Sequence, residues 1–330
     1  MTPRWPFEIL GTGAGLGEKV VTNDHIADLI DTSDEWIASR TGIRERRVVA
    51  EGQTTLSMAL TASREALDEA GLAATDLDMI IFATLTPDHQ LPCTACELQH
   101  ALGARQIPAF DLNAACSGFV FSVITAAQFI AGGSANTILV IGAESLSTIT
   151  DPQDRSTCIL FGDAAAAAVM GRSESGQRGI ISSLWGSDGS GGKLIWIPAG
   201  GAKEPTSTRT VNERLHFLRM RGREVYKFAV TRMQELIKET VADAGIDVSD
   251  IAMVVPHQSN LRIIELACRK LGIPESSVVV NIDRYGNTSA ASVPLALHEA
   301  RRAGRIQSGD LVLLIAFGGG LTWASALMRV

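Results

Sequence analysis

Apolar positions in this chain come in short dense runs separated by small-residue loops, and two stretches follow the same script. "ALDEAGLAATDLDMIIFAT" (66–84) aligns without a gap on "TVADAGIDVSDIAMVVPHQ" (240–258). Ala70-Gly71 falls on Ala244-Gly245, Asp76 on Asp250, and Met79-Ile80-Ile81 on Met253-Val254-Val255. Each copy predicts a helix that stops at Ala-Gly, a short loop carrying an Asp, and a buried strand. The echo continues: "NTILVIGAES" (136–145) matches "GDLVLLIAFGGG" (309–320), and "FGDAAAAAVM" (161–170) and "LTWASALMRV" (321–330) predict the closing strands. Repetition on this scale predicts an α/β fold of two similar halves, 1–175 and 176–330, each a sheet covered by helices. Residues 183–210 break the pattern with Gly, Ser, Pro and two tryptophans, and predict a surface excursion that is either a plain hairpin or a lid.

A pseudo-twofold between such halves brings equivalent loops to one crevice, outside the carboxyl ends of the strands. The first half offers Cys116 in "DLNAACSGF", and the second offers His257 in "VVPHQSN" and Asn287 in "RYGNTSAAS". The strand "PAFDL" before Cys116 then corresponds to a strand "SVVVNI" before Asn287. Cys116 precedes an apolar, small-residue helix ending at Gly132-Gly133, whose positive end favours a thiolate; a small inert core cysteine is the competing reading. Taken singly, His257 reads as a structural loop histidine and Asn287 as a helix cap. "AFGGGLTW" (316–323) is either a tight turn or a loop that aims backbone N–H groups at an oxyanion. Their convergence from equivalent loops is what favours chemistry.

Composition narrows the classes. A chain of 330 residues that is 46% hydrophobic and 20% charged packs a large core, and a net charge of -7 argues against bulk nucleic-acid binding. No apolar run reaches the ~20 residues of a membrane span, and the N-terminal stretch lacks a sustained apolar signal core, so no leader is expected. Five cysteines are an odd number for a disulfide framework, which points to the cytoplasm. Cys93 and Cys96 form a C-x-x-C without a second pair to complete a zinc site, and read as core or interface cysteines. "GTGAGLG" (11–17) fails as a dinucleotide fingerprint because the third glycine position is Leu16. In this acidic chain, 214–233 carries a local basic stripe of Arg214, Arg219, Arg221, Arg223, Lys227 and Arg232. It reads either as a solvated helix face or as a dock for an anionic partner.

Together, "TSDEWIASRTGI", "DLNAACSGF", "DRSTCILFGDAAAA", "VVPHQSNLRII", "YGNTSAAS" and "FGGGLTWASAL" resemble the β-ketoacyl-acyl-carrier-protein synthase III family, end to end. The resemblance implies the duplicated, five-layered αβαβα thiolase-like fold and a homodimer, with much of the contact through 92–112. It implies that an acyl-CoA primer (acetyl, short or branched) condenses with malonyl-acyl carrier protein by decarboxylative Claisen chemistry, initiating type II fatty acid synthesis. A related condensing enzyme of a secondary or unusual-lipid pathway, using a longer acyl-CoA, is the alternative. Cys116, His257 and Asn287 would be catalytic, with the backbone N–H groups of Cys116 and Gly320 as oxyanion hole. Trp36 and Arg155 would flank the CoA adenine, with Arg40, Thr41, Gly222, Tyr226 and Asn260 along its arm. Lys227, Arg262, Arg269 and Lys270 would receive the carrier protein. No metal and no tightly bound cofactor is implied, CoA thioester being substrate. Departures from the family pattern include Tyr226 for Phe, Ser156 and Ala324 for Gly, and Leu91 for the Phe of some acetyl-selective members. Leu91 stands where the family can reach the partner's acyl pocket, which leaves room for a longer or branched primer.

Overall fold

A computed structural model describes residues 2–330, and its ten principal strands fall into two five-stranded sheets. In chain order these are β1 (Trp5–Pro6), β2 (Glu8–Leu16), β3 (Met79–Ala83), β4 (Ala109–Leu112), β5 (Thr137–Ser145), β6 (Asp163–Gly171), β7 (Gly179–Ser187), β8 (Met253–Pro256), β9 (Leu311–Gly318) and β10 (Thr322–Arg329). The first sheet runs β2-β6-β5-β3-β4 and the second β1-β7-β10-β9-β8. In each, the pairs β5/β3 and β9/β8 are parallel, and β6 and β10 return antiparallel on the neighbouring strand.

The main helices are α1 (Asp34–Thr41), α2 (Thr55–Ala70), α3 (Thr94–Leu102), α4 (Gly118–Ala131), α5 (Gly222–Ala244), α6 (Leu261–Leu271) and α7 (Ser292–Arg302). Apolar side chains of α4 and α7 fill the space between the sheets, α2 and α3 cover the outside of the first, and α5 and α6 cover the outside of the second. That is the five-layered arrangement.

The sequence echo persists down to its caps. α2 and α5 end on Gly71 and Gly245, both left-handed at φ 66° and 67°. In the loops that follow, Asp76 accepts the Ala73 amide at 2.8 Å and Asp250 accepts the Asp247 amide at 2.9 Å. Two expectations change. "SVVVNI" does not form a strand: only Val278 bridges Val254, with the Val279 amide donating to the Val254 carbonyl at 2.9 Å. The chain then turns at once into a short helical segment (Ile282–Tyr285), which leaves no room for a longer ladder. The excursion at 183–210 begins later than expected, because Ser183–Ser187 belong to β7 and pair with β10. Beyond Ser187 it is anchored by paired backbone bonds between Asp188 and Leu321, and Ile195–Trp196 pair with Arg219–Met220.

"GTGAGLG" has a packing explanation. Gly11, Gly13 and Gly15 face α2, where an added Cβ would lie 2.2, 2.2 and 2.1 Å from the carbonyl oxygens of Ala66, Ala62 and Met58. Alternate strand residues thus match successive helix turns. On the free edge of β2, Glu69 and Glu65 accept the Thr12 and Ala14 amides at 2.7 and 2.8 Å, closing it to further pairing. Gly13→Val is therefore expected to cost about 3 kcal/mol or more, because backbone must move. Gly189→Ala, which meets nothing within 4 Å, should be near neutral. Urea unfolding of the two variants checks this.

Candidate active site

The carboxyl ends of β4, β5, β8 and β9 open onto one cleft. Cys116, His257 and Asn287 all line it. Each arrives by a different local device.

Cys116 sits in a 3-10 turn (Ala115–Ser117) immediately before α4. Ala115 holds left-handed backbone, φ 48°. The second half secures this turn: the Thr322 hydroxyl donates to the Ala114 carbonyl at 2.9 Å. Gly318 lies so close that an added Cβ would stand 2.7 Å from the Cys116 nitrogen. The expected resting thiolate is not found. Burial pushes the Cys116 thiol up to about 11, opposed by a hydrogen bond with Ser289 and reinforced by the charge of Glu144. Loss of hydration outweighs the helix end, so the resting form is the thiol.

His257 follows β8 and continues its ladder, its amide donating to the Ile315 carbonyl at 2.8 Å. Its Nδ1 lies 2.6 Å from the Ser292 hydroxyl, which also accepts the Gln258 amide at 3.4 Å. With Ser292 donating to Nδ1, the ring proton sits on Nε2. Phe317 packs edge-on against the ring, centroids 5.7 Å apart. Burial pulls the imidazole down to about 3, so it stays neutral at physiological pH.

Asn287 is pinned by its backbone, its amide donating to Leu160 and its carbonyl accepting from Gly162 at 2.8 and 3.0 Å. Its Oδ1 accepts the Ser289 amide at 2.9 Å, so the side-chain NH₂ is the part free to donate. His257 and Asn287 thus offer two neutral donors beside one thiol.

The glycine loop departs from expectation. Gly318 and Gly319 form the cleft wall, whereas Gly320 lies beyond it in the turn into β10, at φ 136°. Among the described residues, neither the Cys116 nor the Gly319 amide has a protein acceptor outside its own residue.

Gly222, Tyr226 and Asn260 line the cleft as well. Asn260 also caps α6, accepting the Arg262 amide at 2.9 Å, and donates to the Arg40 carbonyl at 3.1 Å. Trp36, Arg40 and Arg155 lie outside the lining, with the guanidinium carbons of Arg40 and Arg155 at 4.6 and 5.1 Å from the Trp36 ring centroid. Arg155 rests on the indole, so no gap for a base exists between them; one opens only if Arg155 swings out. Thr41 is buried, its hydroxyl donating to the Ile37 carbonyl at 2.7 Å and accepting the Ile43 amide at 3.0 Å, so it cannot serve as a surface contact.

Leu91 is 88% exposed and does not line the cleft of its own chain. Lys227 on α5 and Arg262, Arg269 and Lys270 on α6 are exposed on the two packed outer helices. The basic stripe is thinner than its sequence implies: Arg214 pairs with Asp151, and Arg232 pairs with Glu235 and Glu239. Cys93 is half-buried and Cys96 exposed, so neither belongs to the core of this chain. The apolar end of the cleft, formed by Leu85, Leu146, Phe161, Ile195 and Leu218, comes from five separated segments and carried no signal in the sequence. Within "YGNTSAAS", the Ser292 hydroxyl fixes His257 and the Ser289 amide fixes Asn287, two roles that the sequence does not declare.

Comparison with known proteins settles the family. The model described as 3-Oxoacyl-acyl-carrier-protein (ACP) synthase III matches residues 110–189, and its C-terminal counterpart matches 241–330. The chain is 51% identical over 321 residues to a β-ketoacyl-acyl-carrier-protein synthase III of Caldanaerobacter subterraneus subsp. tengcongensis, covering 97% of each. The chain belongs to the β-ketoacyl-acyl-carrier-protein synthase III family. A synthase III of Xanthomonas campestris pv. campestris is 49% identical over 332 residues, covering 100% of both chains. A solved synthase III from Aquifex aeolicus VF5 superposes with a TM-score of 0.91 at 45% identity, covering 98% of this chain and 100% of that one. Its two sheets are therefore those of a thiolase-fold synthase III.

Neutral, buried His257 has a consequence for this synthase III. Unfolded, the imidazole takes a proton as pH falls through its ordinary 6.5; folded, it resists until about 3. Stability at this residue is therefore lost as pH drops through that window, by up to about 1.4 kcal/mol per pH unit. Urea midpoints measured down to about pH 5 should fall more steeply in the wild type than in His257→Gln.

Proposed function

We propose that this synthase III primes chain synthesis by loading an acyl group from acyl-CoA onto Cys116 and condensing it with malonyl-acyl carrier protein. One observation carries the reading: a thiol and two neutral donors, His257 Nε2–H and Asn287 NH₂, line a single cleft. Cys116 attacks the primer thioester carbonyl and CoA leaves as the thiol. Thioester exchange is close to isoenergetic, so the step needs orientation more than driving force. The Cys116 amide holds the oxyanion, and the second donor is the Gly319 amide in place of Gly320, because Gly319 is on the wall and unpartnered.

His257 and Asn287 then donate to the malonyl thioester carbonyl. As carbon dioxide departs, the electron pair becomes an enolate held by those donors, and its carbon attacks the acyl-Cys116 carbonyl. Neutral donors stabilise that charge without a base that competes for the substrate's protons. Loss of carbon dioxide drives the condensation.

Tyr226, Gly222 and Asn260 line the passage for the CoA arm, with Arg40 and the Trp36–Arg155 stack as the outer, nucleotide-facing end. Lys227, Arg262, Arg269 and Lys270 form the landing ground for the acidic carrier protein. β4 is an open sheet edge, and exposed Leu91 stands near it in sequence, which supports a second copy there that would take Leu91 into its acyl end. No helix of the described residues is long and apolar enough to cross a membrane. With five unpaired cysteines, the enzyme is assigned to the cytoplasm.

Intact mass of the protein mixed with a panel of acyl-CoAs tests the reading. One acyl adduct is expected, absent in Cys116→Ala, and the fastest-loading chain identifies the primer. An adduct that persists in Cys116→Ala would move the nucleophile elsewhere. Asn287→Ala should lower malonyl decarboxylation by about 100-fold, the scale of one lost oxyanion donor.

A further inference from the structure

A buried carboxylate sits behind Cys116 that the chemistry so far does not use. Glu144, near the carboxyl end of β5, is 0% exposed. Its Oε2 accepts from the Thr86 hydroxyl at 2.6 Å, the Thr84 hydroxyl at 3.2 Å and the Leu85 amide at 3.1 Å. The two threonine hydroxyls cannot turn away. Thr84 already accepts the Thr86 amide at 3.0 Å and Thr86 the Ser145 amide at 2.9 Å, so their protons point at the carboxylate. Oε1 is the less committed oxygen. It receives the Leu85 amide at a longer 3.3 Å and the Ser289 hydroxyl at 3.1 Å. Ser289 and Cys116 stand on two turns that touch each other, and both residues line the cleft.

A proton path from Cys116 across Ser289 to Glu144, whose second link is the 3.1 Å bond, would have two consistent polarities. With Glu144 ionised, Ser289 donates to Oε1 and accepts from the thiol. With a proton on Oε1, the carboxyl donates to Ser289, which then donates to a Cys116 thiolate. One proton can sit at either end without leaving any group of the chain unpaired. From this geometry we infer that Glu144 is the proton store of the acyl-loading step, reached through Ser289.

The inference rests on Cys116 being the acyl acceptor. As Sγ bonds to the primer carbonyl carbon, the thiol proton passes to the Ser289 oxygen while the proton of Ser289 passes to Glu144 Oε1. When the tetrahedral adduct collapses, the carbon–sulfur bond to CoA breaks. The departing thiolate takes a proton back through Ser289, and Glu144 returns to the carboxylate. No proton is gained or lost overall. This also meets the difficulty that the resting nucleophile is a thiol: a neighbouring acceptor removes the proton during attack, so a free thiolate is not required beforehand.

Burial pushes the Glu144 carboxyl up to about 7, against the lowering effect of its donors, so near neutral pH it can both accept and return a proton. Of the titratable groups on adjoining elements, Cys116 faces it through Ser289. Asp163 on β6 instead accepts from Ser147 and from the Val49 amide, and His257 turns Nδ1 to Ser292. Glu144 is thus a positioning and proton-holding residue, acting on substrate only through Cys116.

Glu144→Gln can place its oxygen among the three fixed donors and its NH₂ toward Ser289, imitating the protonated carboxyl but unable to take a proton. Single-turnover formation of the acyl-enzyme from acetyl-CoA and isobutyryl-CoA, followed by quenched-flow mass spectrometry, reads the effect. For the wild type the rate should rise to a plateau above about pH 7. Glu144→Gln should be about 100-fold slower at neutral pH and climb roughly tenfold per pH unit without a plateau. Ser289→Ala, which keeps the carboxylate but cuts the link, should show the same profile, and it carries the test alone if Glu144→Gln fails to fold. A merely structural defect would lower the rate by one factor at every pH. A variant profile that keeps the wild-type plateau, whatever its height, overturns the relay. Absence of any adduct at Cys116 in the wild type would instead overturn the nucleophile assignment beneath it.

Discussion

Two short turns in left-handed backbone organise this molecule. Ala115 and Ser289 each hold φ 48° although neither is glycine, and each opens a 3-10 turn that runs directly into a central helix, α4 or α7. The turns touch each other and each packs on a strand end of the opposite half, the first on β9 and the second on β5. Such a conformation costs of order 1–3 kcal/mol per residue and persists only where the surroundings impose it. Here backbone supplies the imposition, since Gly318 and Gly142 leave no space for a Cβ against the opposing turn. The strain places a thiol from one half and a hydroxyl from the other at the same point.

From that interlock the chemistry follows with few further parts. α4 and α7 lie between two sheets, so the site they begin is walled by apolar layers. Burial suppresses charge on every titratable group there: the thiol is raised, the imidazole lowered and the Glu144 carboxyl raised. A site that resists holding charge at rest, yet presents oriented donors, stabilises charge where it develops during reaction. Ser292 sets the tautomer of His257 and the Ser289 amide sets the orientation of Asn287, so both donors are fixed before substrate arrives.

Much of this was legible in the sequence. The repeat at 66–84 and 240–258 foretold matching helix stops, Asp-capped loops and buried strands, because caps and β-branched runs are local properties. Cys116, His257 and Asn287 followed from the equivalence of loops. Other features were not local. "GTGAGLG" declared itself unsuited to a dinucleotide, but only the approach of α2 explains its period of two. "SVVVNI" has strand composition, yet the turn beginning at Ile282 stops it from pairing beyond one bridge. The resemblance points to Gly320, and three consecutive glycines are indistinguishable in sequence until one turns out of the cleft. Thr41, which the resemblance places along the CoA arm, turns its hydroxyl to the Ile37 carbonyl, a direction that a helix-end residue does not declare in sequence. Glu144 carries a sequence signal of its own: a lone carboxylate ending an apolar strand needs a reason to be there.

The central claim is that two uncharged donors, His257 and Asn287, act beside a half-buried thiol. Nitrogen-15 shifts of His257, followed in the intact protein from about pH 8 down to about pH 5, test it most directly. The expected spectrum is a single neutral tautomer with the proton on Nε2 and no titration across that range. Protonation near the ordinary value of 6.5, or a proton on Nδ1, would contradict it.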